Sequence, residues 1–137
     1  MLFGRPKKEE KVTDTGVVLI VDDDGDLADA LKGLLELRGY TVTTANSGTA
    51  GLEVVRSTPL DAIVCDMIIK DMRGDEFFKT VTAEKPELAP KFIFSTGHSD
   101  QPRVMEFFNE ADADVRILFK PFGEDELVDK VRAVTQG

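Results

Sequence analysis

Apolar residues in this chain fall into two kinds of run that take turns. Short unbroken stretches rich in β-branched residues are followed by longer ones in which apolar positions recur every three or four residues. Val17 to Val21 is the first short run, of the kind expected for a strand covered on both faces. Leu27, Ala30, Leu31, Leu34 and Leu35 then carry helical spacing, with Asp26 available as a cap and Gly39 as a stop. Tyr40 to Ala45 alternates like a short strand, Asn46-Ser47-Gly48 turns the chain, and Ala50 to Arg56 reads as a helix ended near Pro59.

The second half repeats the logic. Ala62 to Cys65 is another buried-type strand, and it ends on Asp66. Gly74 to Glu84 carries Phe77, Phe78 and Val81 at helical spacing, and Pro86 and Pro90 stop the helical pattern beyond it. Lys91 to Phe94 is a fourth strand running out into Ser95-Thr96-Gly97. Pro102 suits the first turn of a helix containing Val104, Met105, Phe107 and Phe108, of which the two phenylalanines do not both easily face a core. Val115 to Phe119 is a fifth strand ending at Lys120-Pro121, and Leu127, Val128, Val131 and Val134 mark a last amphipathic helix. Five strands alternating with five helices predict an α/β fold, its strands parallel and joined by right-handed crossovers. Residues 17–136 form one domain on this reading. Met1 to Gly16 has four basic residues against three acidic ones and little apolar periodicity, and is expected to be a flexible leader or an expression remnant.

Composition narrows the function classes. With 137 residues, 42% hydrophobic and 31% charged, the chain is long enough for one soluble globular core. A formal net charge of −9 argues against nonspecific binding to nucleic acid or to an anionic membrane, both of which need a basic surface. Cys65 is the sole cysteine, so no intramolecular disulfide forms; it is most simply a small core residue. With no signal-peptide pattern and no apolar run near the length of a membrane span, a cytoplasmic location without membrane insertion is expected. One histidine and one cysteine make the usual zinc site untenable.

The candidate chemistry sits where the strands stop. Asp22, Asp23 and Asp24 follow the first strand, Asp66 the third, Ser95 and Thr96 the fourth, and Lys120 the fifth. In a parallel sheet these ends share one edge, where open α/β folds bind ligands. Adjacent like charges are unfavourable unless something cationic sits among them. Aspartates with oxygen-only chemistry suit a hard divalent ion such as Mg²⁺, which takes one or two carboxylates and bridges to phosphate oxygens. Asp66 is then a plausible nucleophile, because carboxylates form acyl phosphates, with a lysine and a hydroxyl to neutralise and hydrogen-bond a phosphoryl group. Asp24 and Asp26 read better as helix-start residues. An EF-hand does not fit, since a glycine falls at the fourth position from Asp22 and Gly33 at the twelfth. There is no P-loop or dinucleotide fingerprint, and a dehalogenase-type phosphatase would want a second acid where Ile68 stands.

Taken together and in this order, Leu19-Ile20-Val21-Asp22-Asp23-Asp24, Asp66, Ser95-Thr96-Gly97 and Lys120-Pro121-Phe122 resemble the receiver domain of bacterial two-component response regulators from Val17 to Thr135. The resemblance implies a doubly wound, flavodoxin-like five-stranded sheet in the order 2-1-3-4-5. It implies Asp66 as phosphoacceptor, receiving phosphate from a histidine kinase or histidine phosphotransfer protein. It further implies Mg²⁺ (or Mn²⁺) on Asp23, Asp66 and the Ile68 backbone carbonyl, with Asp22 acting mainly through water. Thr96 would follow the phosphoryl group, Lys120 would pair with Asp66, and the Lys120-Pro121 bond would be cis. Output would pass to a downstream protein or fused domain, with a phosphorylation-dependent dimer as one form of it and no direct nucleic-acid contact.

The departures from the family pattern are specific. Lys70 stands where a proline is usual, Ile117 where the switch aromatic is usual, and Ala111 to Asp114 where Gly-Ala is common. The two positions that tune dephosphorylation are Ile68 and His98. An apolar Ile68 cannot position an attacking water, so slow self-dephosphorylation is expected. Ile117 and Lys70 also keep open a rival reading, a receiver-like interaction module that does not cycle phosphate.

Overall fold

The computed structural model describes residues 14–97, 102, 106, 107, 109 and 116–136. Five parallel strands form one sheet: β1 (Val17–Val21), β2 (Thr41–Ala45), β3 (Ala62–Asp66), β4 (Phe92–Thr96) and β5 (Arg116–Phe119), in the order β2-β1-β3-β4-β5. The helices with defined bounds are α1 (Gly25–Leu37), α2 (Gly48–Ser57), α3 (Gly74–Glu84) and α4 (Glu124–Gln136). Helical residues 102, 106, 107 and 109 mark the fifth, between β4 and β5. The expected fold class, sheet order and helix count are those observed.

The continuous apolar strands are explained by cover on both faces. Val18, Ile20, Ala62, Val64, Ile93 and Leu118 pack on one side against α1 and α4, through Leu31, Leu35, Leu127 and Val131. Leu19, Val21, Ile63, Cys65, Phe92 and Phe94 pack on the other against α2 and α3, through Val55, Phe77 and Val81. On that second side Phe78 stacks edge-on to Phe92, Phe94 and Phe107. Each fully buried ring contributes about 1.5–3 kcal/mol. Phe107 faces this core; Phe108 lies outside the described residues.

Element ends differ from the sequence reading in instructive ways. The cap of α1 is Asp24, whose carboxylate accepts the Leu27 N–H at 3.1 Å, and Asp26 sits in the first turn. Within α1, Ala28, Leu31 and Leu35 are buried while Ala30 is exposed: at about 100° per residue, Ala28 lies on the face that Leu31 and Leu35 turn to the sheet, and Ala30 lies well off it. Tyr40 precedes β2 instead of opening it; it is buried and its hydroxyl reaches Thr135 Oγ1 at 3.4 Å. Helix α2 starts at Gly48, two residues early, because Ser47 caps it through the Ala50 N–H. The two prolines after α3 shape a 3₁₀ turn (Pro86–Lys91), so Lys91 lies outside β4 and its Nζ donates to the Val134 carbonyl at 2.7 Å. Ser95 and Thr96 belong to β4 itself. Val104, Met105, Ala111 to Asp114 and Val115 lie outside the described residues, as do residues 1–13 of the expected leader. Asp14 within that segment is buried, and Arg132 donates to both its carboxylate oxygens at 3.2 and 2.7 Å.

Candidate functional site

Parallel pairing brings the strand ends together. Val21 is opposite Cys65, Asp66 opposite Ser95, and Thr96 opposite Phe119. The chain therefore leaves β1, β3 and β5 at one edge with Asp22, Asp66 and Lys120 side by side. Asp22 is 3% and Asp66 7% exposed, whereas Asp23 points outward and is exposed. One carboxylate oxygen from each of Asp22, Asp23 and Asp66 lies within 4.8 Å of the other two.

Lys120 bridges the two buried acids, its Nζ 3.2 Å from Asp22 Oδ2 and 3.1 Å from Asp66 Oδ2. The peptide bond it shares with Pro121 is cis, and its own N–H donates to the Thr96 carbonyl at 2.9 Å. Asp22 Oδ1 accepts the Asp24 N–H at 2.9 Å, and Asp66 Oδ1 accepts the Ile68 N–H at 3.3 Å. Burial raises the Asp66 carboxyl above its ordinary range; the Lys120 charge pulls it back without cancelling, and Asp22 adds to the rise. Burial works to lower Lys120, but the Asp66 and Asp22 charges outweigh it and hold the ammonium above its usual value. Burial, then Asp66 and Asp22, push the Cys65 thiol well up, so it stays neutral and behaves as the core residue expected.

Among the described residues, the three carboxylates and the Lys120 ammonium leave this edge short of positive charge. Oxygen-only donors, converging from two strand ends and partly open to solvent, fit a hard divalent cation of the Mg²⁺ kind. Thr96 is fully buried at the end of β4. Ile117 is half-buried against the phenylalanine-rich core, opposite Phe94. Ile68 is 39% exposed. His98 lies outside the described residues. Beside Lys120, a cleft of about 430 Å³ is lined by Leu27, Leu31, Pro121 and Phe122.

One participant has no signature in the local sequence. The Asp71 carboxylate accepts the Gly48 N–H at 2.7 Å, the Thr49 N–H at 3.0 Å and the Thr49 hydroxyl at 2.6 Å. The Thr49 hydroxyl first, then the Thr49 and Gly48 amides, hold its carboxyl down at about 2. Its partners lie 22 and 23 residues away, and spacing alone does not reveal such a pair. Gly74 is required for a related reason: a Cβ there would lie 2.6 Å from the Asp66 carbonyl oxygen and 2.8 Å from Met67 Cα.

A five-stranded doubly wound sheet with acids and a lysine at its carboxyl edge defines a receiver fold, and the response regulator receiver domain family matches residues 18–132. The chain belongs to that family. It is 32% identical over 115 residues to the C4-dicarboxylate transport transcriptional regulatory protein DctD of Rhizobium meliloti, covering 84% of this chain and 24% of that protein. It is 29% identical over 114 residues to the response regulator receiver protein CpdR of Brucella abortus, covering 83% of this chain and 92% of that one. Among solved structures, a CheY-like response regulator receiver domain protein from Methanospirillum hungatei JF-1 superposes with a TM-score of 0.80 at 28% identity, covering 90% of this chain and 95% of that one. The chain thus spans about a quarter of DctD and nearly all of CpdR. Among the described residues, no helix is long and apolar enough to cross a membrane.

Proposed function

We propose that this receiver domain takes a phosphoryl group onto Asp66 from a phosphohistidine of a histidine kinase or phosphotransfer protein. The observation that carries this is the placement of Asp66, nearly buried, with Lys120 Nζ 3.1 Å away and the Asp22 and Asp23 oxygens within 4.8 Å. A carboxylate oxygen of Asp66 attacks phosphorus, the P–N bond to the donor imidazole breaks, and an acyl phosphate remains. Asp66 is an anion when it attacks, and Lys120 keeps it so by offsetting part of its burial. As negative charge spreads over the phosphoryl oxygens, the Lys120 ammonium is already within pairing distance. The Thr96 hydroxyl, one residue beyond the register partner of Asp66, hydrogen-bonds the new phosphoryl group. Asp22, Asp23, Asp66 and the Ile68 carbonyl would hold Mg²⁺ or Mn²⁺, which supplies charge neutralisation and orients the phosphoryl oxygens.

Phosphorylation removes Lys120 from part of its pairing with Asp66 and pulls on Thr96, whose carbonyl binds the Lys120 N–H. Output to a downstream protein, a fused domain or a second copy then follows from altered contacts around β4 and β5. The apolar cleft next to Lys120 supports protein partners, and the net charge of −9 supports a domain that does not itself bind nucleic acid. The chemistry is confined to the domain's own phosphorylation and dephosphorylation, in the cytoplasm. Incubation with a small-molecule phosphodonor and Mg²⁺, followed by intact-mass measurement, is expected to add one phosphoryl group to the wild type and none to Asp66→Ala. An unmodified wild type would favour an interaction module that does not cycle phosphate.

A further inference from the structure

The loop from Met67 to Arg73 joins Asp66 to α3, and it contacts the site directly because the Ile68 N–H donates to Asp66 Oδ1. It contains no proline: Met67-Ile68-Ile69-Lys70-Asp71-Met72-Arg73 has Lys70 where the family commonly has one. A loop with no such fixed φ loses more conformational entropy on adopting a single shape. Something else must hold it.

Inside the loop, Ile68 bridges to Arg73 and the Gly74 N–H donates to the Met67 carbonyl at 2.8 Å. Outside it, the anchoring is to the start of α2. The first four amide donors of a helix have no partner within the helix. In α2 the first intrahelical bond runs from the Gly51 N–H to the Ser47 carbonyl, and of the donors before it the Ala50 N–H is taken by the Ser47 hydroxyl. The Gly48 and Thr49 amides are taken by Asp71. Met72 closes the same junction: a Cβ on residue 48 would overlap Met72 Cγ, so Gly48 is what lets the Met72 side chain lie so close. Charge adds to the hydrogen bonds, since a carboxylate is favoured at a helix N-terminus.

We infer that Asp71 is a positioning residue for the phosphorylation site, fastening the proline-free loop to α2 and so holding Ile68 against Asp66 at the metal-binding edge. The inference rests on the proposed function for its metal. Its effect is separable from helix capping, because the Ser47 side chain caps the same helix through a bond to Ala50 within it.

The test is calorimetric titration of Mg²⁺ into the unphosphorylated full chain, with urea unfolding of each variant. Asp71→Ala is expected to weaken Mg²⁺ binding by about threefold or more, short of the roughly 10–100-fold that loss of a direct outer-sphere partner costs. Asp71→Asn, which keeps an acceptor oxygen, should fall between it and the wild type. Ser47→Ala should lose stability and keep wild-type Mg²⁺ affinity. Thr49→Val, which removes only the hydroxyl donor, serves if Asp71→Ala does not fold, and should weaken binding in the same direction. Unchanged affinity in Asp71→Asn and Asp71→Ala, or equal weakening in Ser47→Ala, would overturn the assignment. So would absence of Mg²⁺ binding by the wild type. A wild type that binds Mg²⁺ but accepts no phosphate would sink the proposed function and leave this inference standing.

Discussion

Replacing Asp66 by asparagine should make the metal-free protein more stable at neutral pH. Asp66 is 7% exposed and shares an edge with Asp22 and Asp23, their oxygens within 4.8 Å. Like charges at that separation repel by about 3–4 kcal/mol at an effective dielectric near 20, and Lys120 returns ~5 kcal/mol at 3.1 Å. Desolvation of a nearly buried carboxylate is the largest influence on Asp66 and raises its pKa, and the net displacement is upward. The folded protein therefore binds this proton more tightly than the unfolded chain does. The stabilisation from holding it is complete below the ordinary value of 3.8 and lost as pH rises through the raised folded value. Asparagine keeps an acceptor for Ile68 and Lys120, leaves Lys120 paired with Asp22, and removes the charge.

The expected gain near pH 7 is on the order of 1 kcal/mol, the usual size of a single-substitution effect, and it shrinks to nothing below the ordinary carboxylate value of 3.8. Urea unfolding of both proteins in chelator, across that range, reads the difference directly while other acids cancel. Added Mg²⁺ should then stabilise the wild type and narrow or reverse the gap. A variant less stable than wild type at pH 7, or a gain that does not change with pH, would refute the argument from the buried charge.

Asp23→Asn should abolish Mg²⁺-dependent phosphorylation, whereas Asp24→Asn should leave it largely intact and cost at most ~1 kcal/mol through the α1 cap; equal losses in a phosphotransfer assay would mean the division between ligand and cap is misplaced. Ile68→Asn should shorten the lifetime of phospho-Asp66, since an amide at the half-exposed mouth of the site can orient a water; decay of the wild-type phosphoprotein within seconds, or at the variant's rate, would count against it.

Most of the site was legible because its members mark the ends of strands, and a strand's end is a local feature. A run such as Ile63-Val64-Cys65 stops at an acid, and parallel topology then carries Asp22, Asp66 and Lys120 to one edge. The helix phase at Ala28 was less legible, because Ala28 and Ala30 are chemically the same residue on opposite flanks of the leucine stripe, and only the packing of α1 on the sheet chooses between them. The Arg132–Asp14 pair was illegible for another reason: a charged residue in a polar segment reads as solvated until a helix from the far end of the chain covers it.

By itself, then, the sequence determined the alternation of elements, the two-sided burial of the sheet, the family and the identity of the clustered acids, since each follows from periodicity or from a residue's place in an element. Only the tertiary structure decided that Lys120 lies between Asp22 and Asp66, that burial lifts the Asp66 carboxyl, and that Asp71 closes the donors of a helix begun 23 residues earlier. Those facts depend on distances between segments and on how much water is excluded, and neither quantity exists until the chain has folded.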